Sequence, residues 1–418
     1  MTAPRLHRSG APPRTRLVHF GLGAFHRAHQ AVYTQLSAPA DDWGIAAFTG
    51  RSVAPAALVE QDGVYTVVTP DEEALVVDRI ASVGSGSDRS AFRSALAAPE
   101  VSAVTLTITE AAYAGPDAAP DVRADIARLR NGNAPLTAPG RLVDALRARH
   151  AAQADPVTVL ACDNVPRNGA RIRSVLLDIA ADVDESLATW IADELAFPSS
   201  VVDRITPRPG DDAARISRSA TGFEDHAAVL AEPYREWVIE NNAVSELPDW
   251  ASAGARFVDD LDAAESRKLR LLNAGHLLLA LEGPARGMRT VAEAWADAEL
   301  RTSVQRLWEE ARRSIPEDGA DVDQWLTRVA TRFADSRIEH QLAQIAEGAL
   351  EKLRVRIVPT VDAEVTAGRS ADAALGVVAA WLRLQDSSLD ESLRRLGSWT
   401  ENGPVKARLE ALHRHELA

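Results

Sequence analysis

One short run carries an acid, a lysine, a carboxamide and an imidazole: Asp262-Ala-Ala-Glu265-Ser-Arg-Lys268-Leu-Arg-Leu-Leu-Asn273-Ala-Gly-His276. On a helix advancing about 100° per residue, with Lys268 at zero, Glu265, His276 and Asn273 fall at about 60°, 80° and 140°, all on one side. The leucines at 269, 271, 272, 277, 278 and 279 cover nearly the whole circumference, and a helix apolar all round is normally buried. Buried lysine, asparagine and histidine are costly unless hydrogen-bonded or used. Desolvation lowers a lysine's proton affinity and suits it to act as a base near neutrality. The Asn273 amide can donate to a developing alkoxide, and the His276 imidazole can hold a substrate hydroxyl. Each residue also has a plainer use. Glu265 can complete a capping-box-like start with Asp262, His276 can be a satisfied core histidine, and Lys268 can extend its ammonium to solvent. The three together on one leucine-rich helix favour the chemical use.

Two further clusters fit the same chemistry. Asp163-Asn164-Val-Pro-Arg-Asn-Gly169 follows an apolar run ending at Ala161. In open α/β sheets ligands sit beyond the carboxyl ends of strands, so Asn164 is placed to meet one; an Asx turn before a helix is the alternative. Phe197-Pro-Ser-Ser-Val-Val-Asp203-Arg204-Ile-Thr-Pro207 offers Asp203 to a substrate, unless Asp203 and Arg204 only pair with each other.

The first apolar run ends in Gly21-Leu22-Gly23-Ala24-Phe25-His26. In a dinucleotide fold the first glycine makes the tight turn and the second lets backbone amides approach the pyrophosphate. His26 stands where a third glycine is usual, so the turn is also compatible with an ordinary strand-to-helix connection. The second strand ends Phe48-Thr49-Gly50-Arg51-Ser52 without the acid that usually binds the ribose 2′-hydroxyl. Arg51 can hold a 2′-phosphate, stack on adenine or simply be solvated. NAD is the expected cofactor, with NADP open.

These residues need a frame. Strands are expected at 16–20, 43–48, 101–108 and 157–161, helices at 87–97 and 121–130, and a hairpin from Tyr65–Val68 and 74–77. That alternation predicts an α/β Rossmann-type domain. From Asp262 onward the pattern is almost wholly helical, broken at Gly283-Pro284, Ile315-Pro316, Pro359 and Gly403-Pro404. The expected division is a flexible tail over 1–15, a dinucleotide-binding domain over 16–240 and an all-α substrate and catalytic domain over 241–418. A net charge of −14 argues against a nucleic-acid partner. One cysteine, Cys162, excludes an internal disulfide or a cysteine-rich zinc site, which fits the cytoplasm. No run approaches the ~18 consecutive apolar residues of a membrane span.

Six ordered motifs together resemble the polyol-specific long-chain dehydrogenases, the mannitol dehydrogenase family. They are Gly21-x-Gly-x-Phe-His-Arg-Ala-His29, Thr105-Leu-Thr-Ile-Thr-Glu110, Cys162-Asp-Asn-Val-Pro, Val202-Asp-Arg-Ile-Thr-Pro207, Glu232-Pro-Tyr-Arg-Glu-Trp-Val-Ile-Glu240 and Lys268-x4-Asn273-x2-His276. That family includes mannitol 2-dehydrogenase, mannitol-1-phosphate 5-dehydrogenase, and fructuronate and tagaturonate reductases. The resemblance implies a Rossmann-type domain joined to a helical one, with the active site in the cleft between them, and a monomer. It implies Lys268 as general base, Asn164 and Asn273 as an oxyanion clamp, and Glu265 relaying the proton to solvent. His276 and Asp203 would bind substrate, no metal would be used, and Gly21 to Phe25, Arg51 and Glu110 would bind the dinucleotide. The family tends to carry Gly-Ser-x-Lys/Arg, whose basic residue reaches the substrate. Here Gly348-Ala-Leu-Glu-Lys352-Leu-Arg354-Val-Arg356 is one residue longer, with the match placed at Lys352. The expected reaction interconverts D-mannitol and D-fructose. The rivals are a hexuronate or sugar-phosphate substrate, or a non-catalytic dinucleotide-binding sensor.

Overall fold

The computed structural model describes residues 3–39, 42–70, 72–207, 211–317, 319–385, 388–396 and 403–415. It divides into two compact units, Met1–Leu261 and Asp262–Ala418.

The first unit opens with β1 (Thr15–Phe20), α1 (Ala24–Ala28), α2 (Gln30–Leu36), β2 (Gly44–Phe48), α3 (Ala56–Glu60), β3 (Tyr65–Val68), β4 (Leu75–Val77) and β5 (Ile80–Gly84). It continues with α4 (Arg89–Ala97), β6 (Ala103–Leu106), α5 (Pro120–Arg130), α6 (Ala138–Ala151), β7 (Thr158–Ala161), α7 (Asn168–Val183) and α8 (Glu185–Glu194). It closes with β8 (Ser200–Asp203), α9 (Asp211–Thr221), β9 (Val229–Leu230), β10 (Glu236–Glu240) and β11 (Arg256–Val258).

The main sheet runs β5-β2-β1-β6-β7, every pairing parallel. The chain leaves β1 toward β5 on one side and returns to β6 and β7 on the other, so the order reverses beside β1. Ligands of doubly wound sheets bind at that switch point. Side chains two apart share a face of a strand. Val18, Phe20, Ala46, Phe48, Val104 and Leu106 build one core, and Leu17, Ile45, Ala47, Ala103 and Leu160 build the other. Burial on both faces explains why these strands read as nearly continuous apolar runs. Helix starts are capped by side chains: Asp88 accepts from Ala91 N, Thr137 from Gly140 N, and Asp184 from Ser186 N and Leu187 N.

The hairpin forms as expected, with Tyr65 opposite Val77, and β9 adds a third strand to it. A separate sheet runs β11-β10-β8. The expected domain boundary at 240/241 falls between β10 and β11, two paired strands, so the first unit extends to Leu261. The expected flexible tail is anchored along its described part. Leu6 is buried, and its N–H donates to Glu224 O at 2.9 Å. The Arg8 guanidinium donates to Asp78 O and Ile80 O, both at 2.7 Å. One arginine fork satisfies two carbonyls at a strand end, a use its sequence neighbours do not signal.

The second unit contains α10 (Asp262–Arg267), a π-turn (Lys268–Asn273), α11 (Ala274–Glu282), α12 (Val291–Ala296), α13 (Ala298–Arg312), α14 (Gly319–Ala334) and α15 (Leu342–Ala346). It ends with α16 (Ala349–Arg356), α17 (Val358–Thr366), α18 (Asp372–Arg383), α19 (Leu389–Leu396) and α20 (Gly403–His415). The expected breaks fall between these helices, and Pro284, Pro359 and Pro404 sit near the starts of short helical segments, where a missing N–H costs nothing. α11 is buried from Ala274 to Leu281 and forms the centre of the helical core. Among the described residues no helix is long and apolar enough to cross a membrane.

Candidate active site

In the first unit the carboxyl edge of the main sheet gathers most of the expected cofactor residues. Gly21 follows β1 with φ of +110°, and a Cβ there would lie 1.9 Å from Thr107 O. Only glycine fits. A Cβ on Gly23 would meet nothing closer than Gly21 O at 3.7 Å, so the protein itself leaves that side of the turn open. Leu22, Ala24 and Phe25 complete the turn into α1. Arg51 lies exposed beyond β2, and Glu110 lies exposed at the start of a short 3-10 helix beyond β6. Both therefore sit on the same edge as the glycine turn.

His26, at the place of the third glycine, is fully buried and stacks on His19 with ring centroids 3.4 Å apart. His19 is held between the hydroxyls of Thr105 at 2.8 Å and Thr107 at 3.1 Å. Burial drives both imidazoles toward the neutral form, His19 to about 3 and His26 well below its ordinary range. A flat aromatic stack thus fills the helix–strand contact that a third glycine would otherwise close.

Asn164 lies exposed just past β7. Its neighbours, absent from the expected site, fix that loop. The Asp163 carboxylate accepts from Ile108 N at 2.7 Å and from the Tyr113 hydroxyl at 2.5 Å, tying the β6 and β7 loops together. Burial raises this carboxyl to about 8 against the pull of those two bonds. The Asn168 amide donates to Asp163 O and Ser200 O, both at 2.8 Å, and accepts from Ser200 N at 2.9 Å. That stitch links the Asn164 loop to β8, which ends at the buried Asp203. Arg204 donates to Ala28 O at 2.5 Å and Glu232 O at 3.0 Å, and burial lowers its pKa to about 10. It is a brace for the backbone beside Asp203.

In the second unit Glu265, Lys268, Asn273 and His276 lie on one continuous helical run whose centre is not α-helical. In the π-turn Lys268–Asn273, bonds of the type i to i+5 replace the α pattern, and Ala274 N donates to Leu269 O. The wider turn holds more residues than a regular one, which brings Lys268 and Asn273 nearer to one face than the about 140° of a regular helix. His276 continues that face from α11. Lys268 and Asn273 are each 7% exposed and His276 5%, while Glu265 is half-buried.

A wide turn shifts the usual backbone pairing, and side chains reach its carbonyls. The Trp308 indole donates to Leu271 O at 3.0 Å. The Arg356 guanidinium donates to Asn273 O at 3.3 Å. The His276 ring packs against Phe333 at 4.5 Å and His340 at 4.9 Å between centroids. Its Nε2 is buried with no hydrogen-bond partner among the described residues. Burial holds this imidazole neutral, and the charges of His340, Arg332, Arg356 and Lys268 push the same way.

Lys352 donates its ammonium to Ile345 O at 2.9 Å. Arg356, one helical turn further along α16, is in contact with the π-turn. The sequence match falls at Lys352; Arg356 is a second cation of the same stretch that reaches the π-turn. Among the described residues no group of three His, Cys, Asp or Glu side chains is arranged to hold a metal ion.

Comparison with known proteins agrees with both halves. Residues 15–252 match the model of the mannitol dehydrogenase Rossmann domain. Residues 260–396 match the mannitol dehydrogenase C-terminal domain. The chain is 34% identical over 391 residues to D-mannonate oxidoreductase of Escherichia coli, covering 88% of this chain and 79% of that protein. It is 32% identical over 405 residues to mannitol 2-dehydrogenase of Phaeosphaeria nodorum, covering 92% and 70%. Its fold superposes on Pseudomonas fluorescens mannitol 2-dehydrogenase, solved with NAD and D-mannitol, with a TM-score of 0.86 at 29% identity, covering 96% of this chain and 91% of that one.

Proposed function

This chain belongs to the mannitol dehydrogenase family, and we propose that it moves hydride between a nicotinamide dinucleotide and the secondary carbinol of a linear polyol, with D-mannitol and D-fructose the leading pair. The observation that carries this reading is the π-turn, which holds a buried lysine and a buried asparagine at its two ends, with the buried His276 one turn further along. When bound, the dinucleotide supplies the hydride acceptor for oxidation and the donor for reduction. The Gly21–Phe25 turn suits it: a switch-point position, a first glycine that admits no Cβ, and a second whose outer side the protein leaves open.

In the oxidation direction Lys268, as the neutral amine, takes the hydroxyl proton while the C–H bond yields its electron pair as hydride. Asn273 and Asn164 are assigned as donors to the oxygen while negative charge gathers there, a role worth about 2.7–4 kcal/mol for one donor in other enzymes. The unpartnered Nε2 of His276 is assigned to a substrate hydroxyl and Asp203 to the substrate side, with Glu265 passing the proton from Lys268 to solvent. Proton acceptance thus rests on an amine instead of a metal-bound hydroxide.

A second reading, an aldonate such as D-mannonate oxidised to a hexuronate, is favoured by one observation. Arg332 and Arg356 both bring positive charge to His276, and a carboxylate substrate would gain from such a field. The deciding experiment follows absorbance at 340 nm with the purified protein, offering fructose, fructuronate, tagaturonate and fructose 6-phosphate with NADH or NADPH. Turnover with fructose supports the leading reading, and turnover with a hexuronate alone supports the second. Dinucleotide binding without turnover on any of them would turn the reading to another polyol or to the sensor.

A further inference from the structure

We infer that the carboxyl edge of β2 and β5 is built to hold a phosphate monoester, the 2′-phosphate of NADP(H), and that this chain prefers NADP(H) to NAD(H). The inference rests on the dinucleotide reading above and goes beyond it by naming the cofactor.

In a doubly wound sheet the end of the second strand meets the adenosine ribose. An acid there accepts from the 2′-hydroxyl, whereas an arginine accommodates a 2′-phosphate. Beyond β2 this chain has Thr49-Gly50-Arg51-Ser52, with no carboxylate. The loop is held in place: the hydroxyls of Thr49 and Ser85 donate to Ser52 O at 2.5 and 3.1 Å. The nearest acid in the adjoining β5 loop, Asp88, is occupied as the cap of α4, accepting from Ala91 N at 3.0 Å.

Positive charge collects at the same edge. Arg51 is exposed and forms no salt bridge or side-chain hydrogen bond with any described residue. Beside it, Arg141 donates to Gly50 O at 2.6 Å and to the Ser87 hydroxyl at 3.4 Å. The two guanidiniums are close enough that the Arg51 charge, after burial, is a cause of lowered proton affinity in Arg141. A small cavity beside them is lined by Gly86, Ser87, Arg89, Arg93, Arg141 and Asp144.

The local carboxylates are already engaged. Asp144 takes Arg89 at 2.6 and 2.8 Å and Arg93 at 2.5 Å. Asp125 accepts from Leu136 N, Thr137 N and the Thr137 hydroxyl at 2.8, 2.7 and 2.7 Å. Four arginines against two saturated carboxylates leave an excess that matches a phosphate monoester, which carries about −1.5 to −2 at neutral pH. Two like charges held side by side, one of them without any partner, repel until an anion joins them.

The test measures equilibrium binding to the full chain, by quenching of its tryptophans, of NADPH, NADH, adenosine 2′,5′-bisphosphate, 5′-AMP and inorganic phosphate. NADPH is expected to bind at least about tenfold tighter than NADH, and the bisphosphate tighter than 5′-AMP by a similar factor. Arg51→Glu should bring the NADPH:NADH ratio to one or below, and this exposed, unpartnered position carries little risk to folding. Higher ionic strength should weaken NADPH more than NADH. Inorganic phosphate competing against 5′-AMP as well as the bisphosphate would identify a general anion site and overturn the inference. NADH binding as tightly as NADPH, or an unchanged ratio in Arg51→Glu, would overturn it while leaving the dinucleotide reading intact. Failure of every dinucleotide to bind would sink both.

Discussion

The glycine turn after β1 and the π-turn of the helical unit solve opposite problems. At the glycine turn the backbone is the proposed binding surface, and side chains are packed away beneath it. Gly21 adopts a conformation only glycine tolerates against Thr107 O, while His19 and His26 lie stacked and neutral below. At the π-turn the side chains are the proposed catalytic surface, and the backbone departs from regular helix where they sit. Lys268 and Asn273 come nearer to one face because one turn holds more residues than usual. The displaced carbonyls are met by Trp308 and Arg356. A loop that must approach a ligand gives up side chains, whereas a helix that must present several gives up regularity.

The contrast breaks if either site tolerates the change it should not. The largest effect is expected at Gly21→Ala, where a methyl group would be driven into the Thr107 carbonyl at positive φ. Such strain costs roughly 1–3 kcal/mol before the clash itself is added. Dinucleotide affinity, measured by fluorescence titration, should fall by at least about tenfold, and a variant that binds normally would mean the backbone there is not the binding surface. A middle-sized effect is expected at Trp308→Phe, which keeps the aromatic volume and removes the donor to Leu271 O. Leu271 O keeps the Ala274 N–H as a donor, so the loss is that of one buried hydrogen bond, about 0.5–1.5 kcal/mol. Denaturant unfolding should register that loss, and kcat should drop with it; an unchanged kcat would separate the lysine's placement from the π-turn.

The smallest effect sharpens the comparison from the sheet side. Asp163 is held up to about 8 by burial, so the folded state favours its protonated form. Its contribution is fully present below the ordinary aspartate pKa of about 3.9 and is lost as the pH rises through about 8. Asp163→Asn has no such titration. Melting curves of the two proteins should diverge by a few degrees in favour of the variant as the pH rises across that window, and parallel curves would refute the assignment.

Much of this was legible in the sequence, and the gaps have physical reasons. β1, β2, β6 and β7 announce themselves because both of their faces are buried, which forces uninterrupted apolar runs. β5 hides because Ile80-Ala-Ser-Val-Gly84 is small and half polar, and β11 because three residues carry no period. Lys268, Asn273 and His276 stand out as polar residues among leucines, so their joint use can be argued from sequence. The π-turn cannot, because a projection at 3.6 residues per turn assumes the regularity that this segment lacks. Arg356 is hidden among equal cations, and Asp163 and Asn168 read as turn residues until the bonds they make to other loops are visible.

The central claim is that Lys268 is the proton acceptor and serves chemistry alone. Lys268→Ala should therefore be compared with the parent protein in two measurements on one preparation, kcat at saturating substrate and the dissociation constant of the dinucleotide. The account predicts that kcat falls by about a thousandfold, in the upper part of the range for loss of a general base, while dinucleotide affinity stays within about twofold. Turnover retained within an order of magnitude, or dinucleotide binding lost in step with turnover, would contradict it.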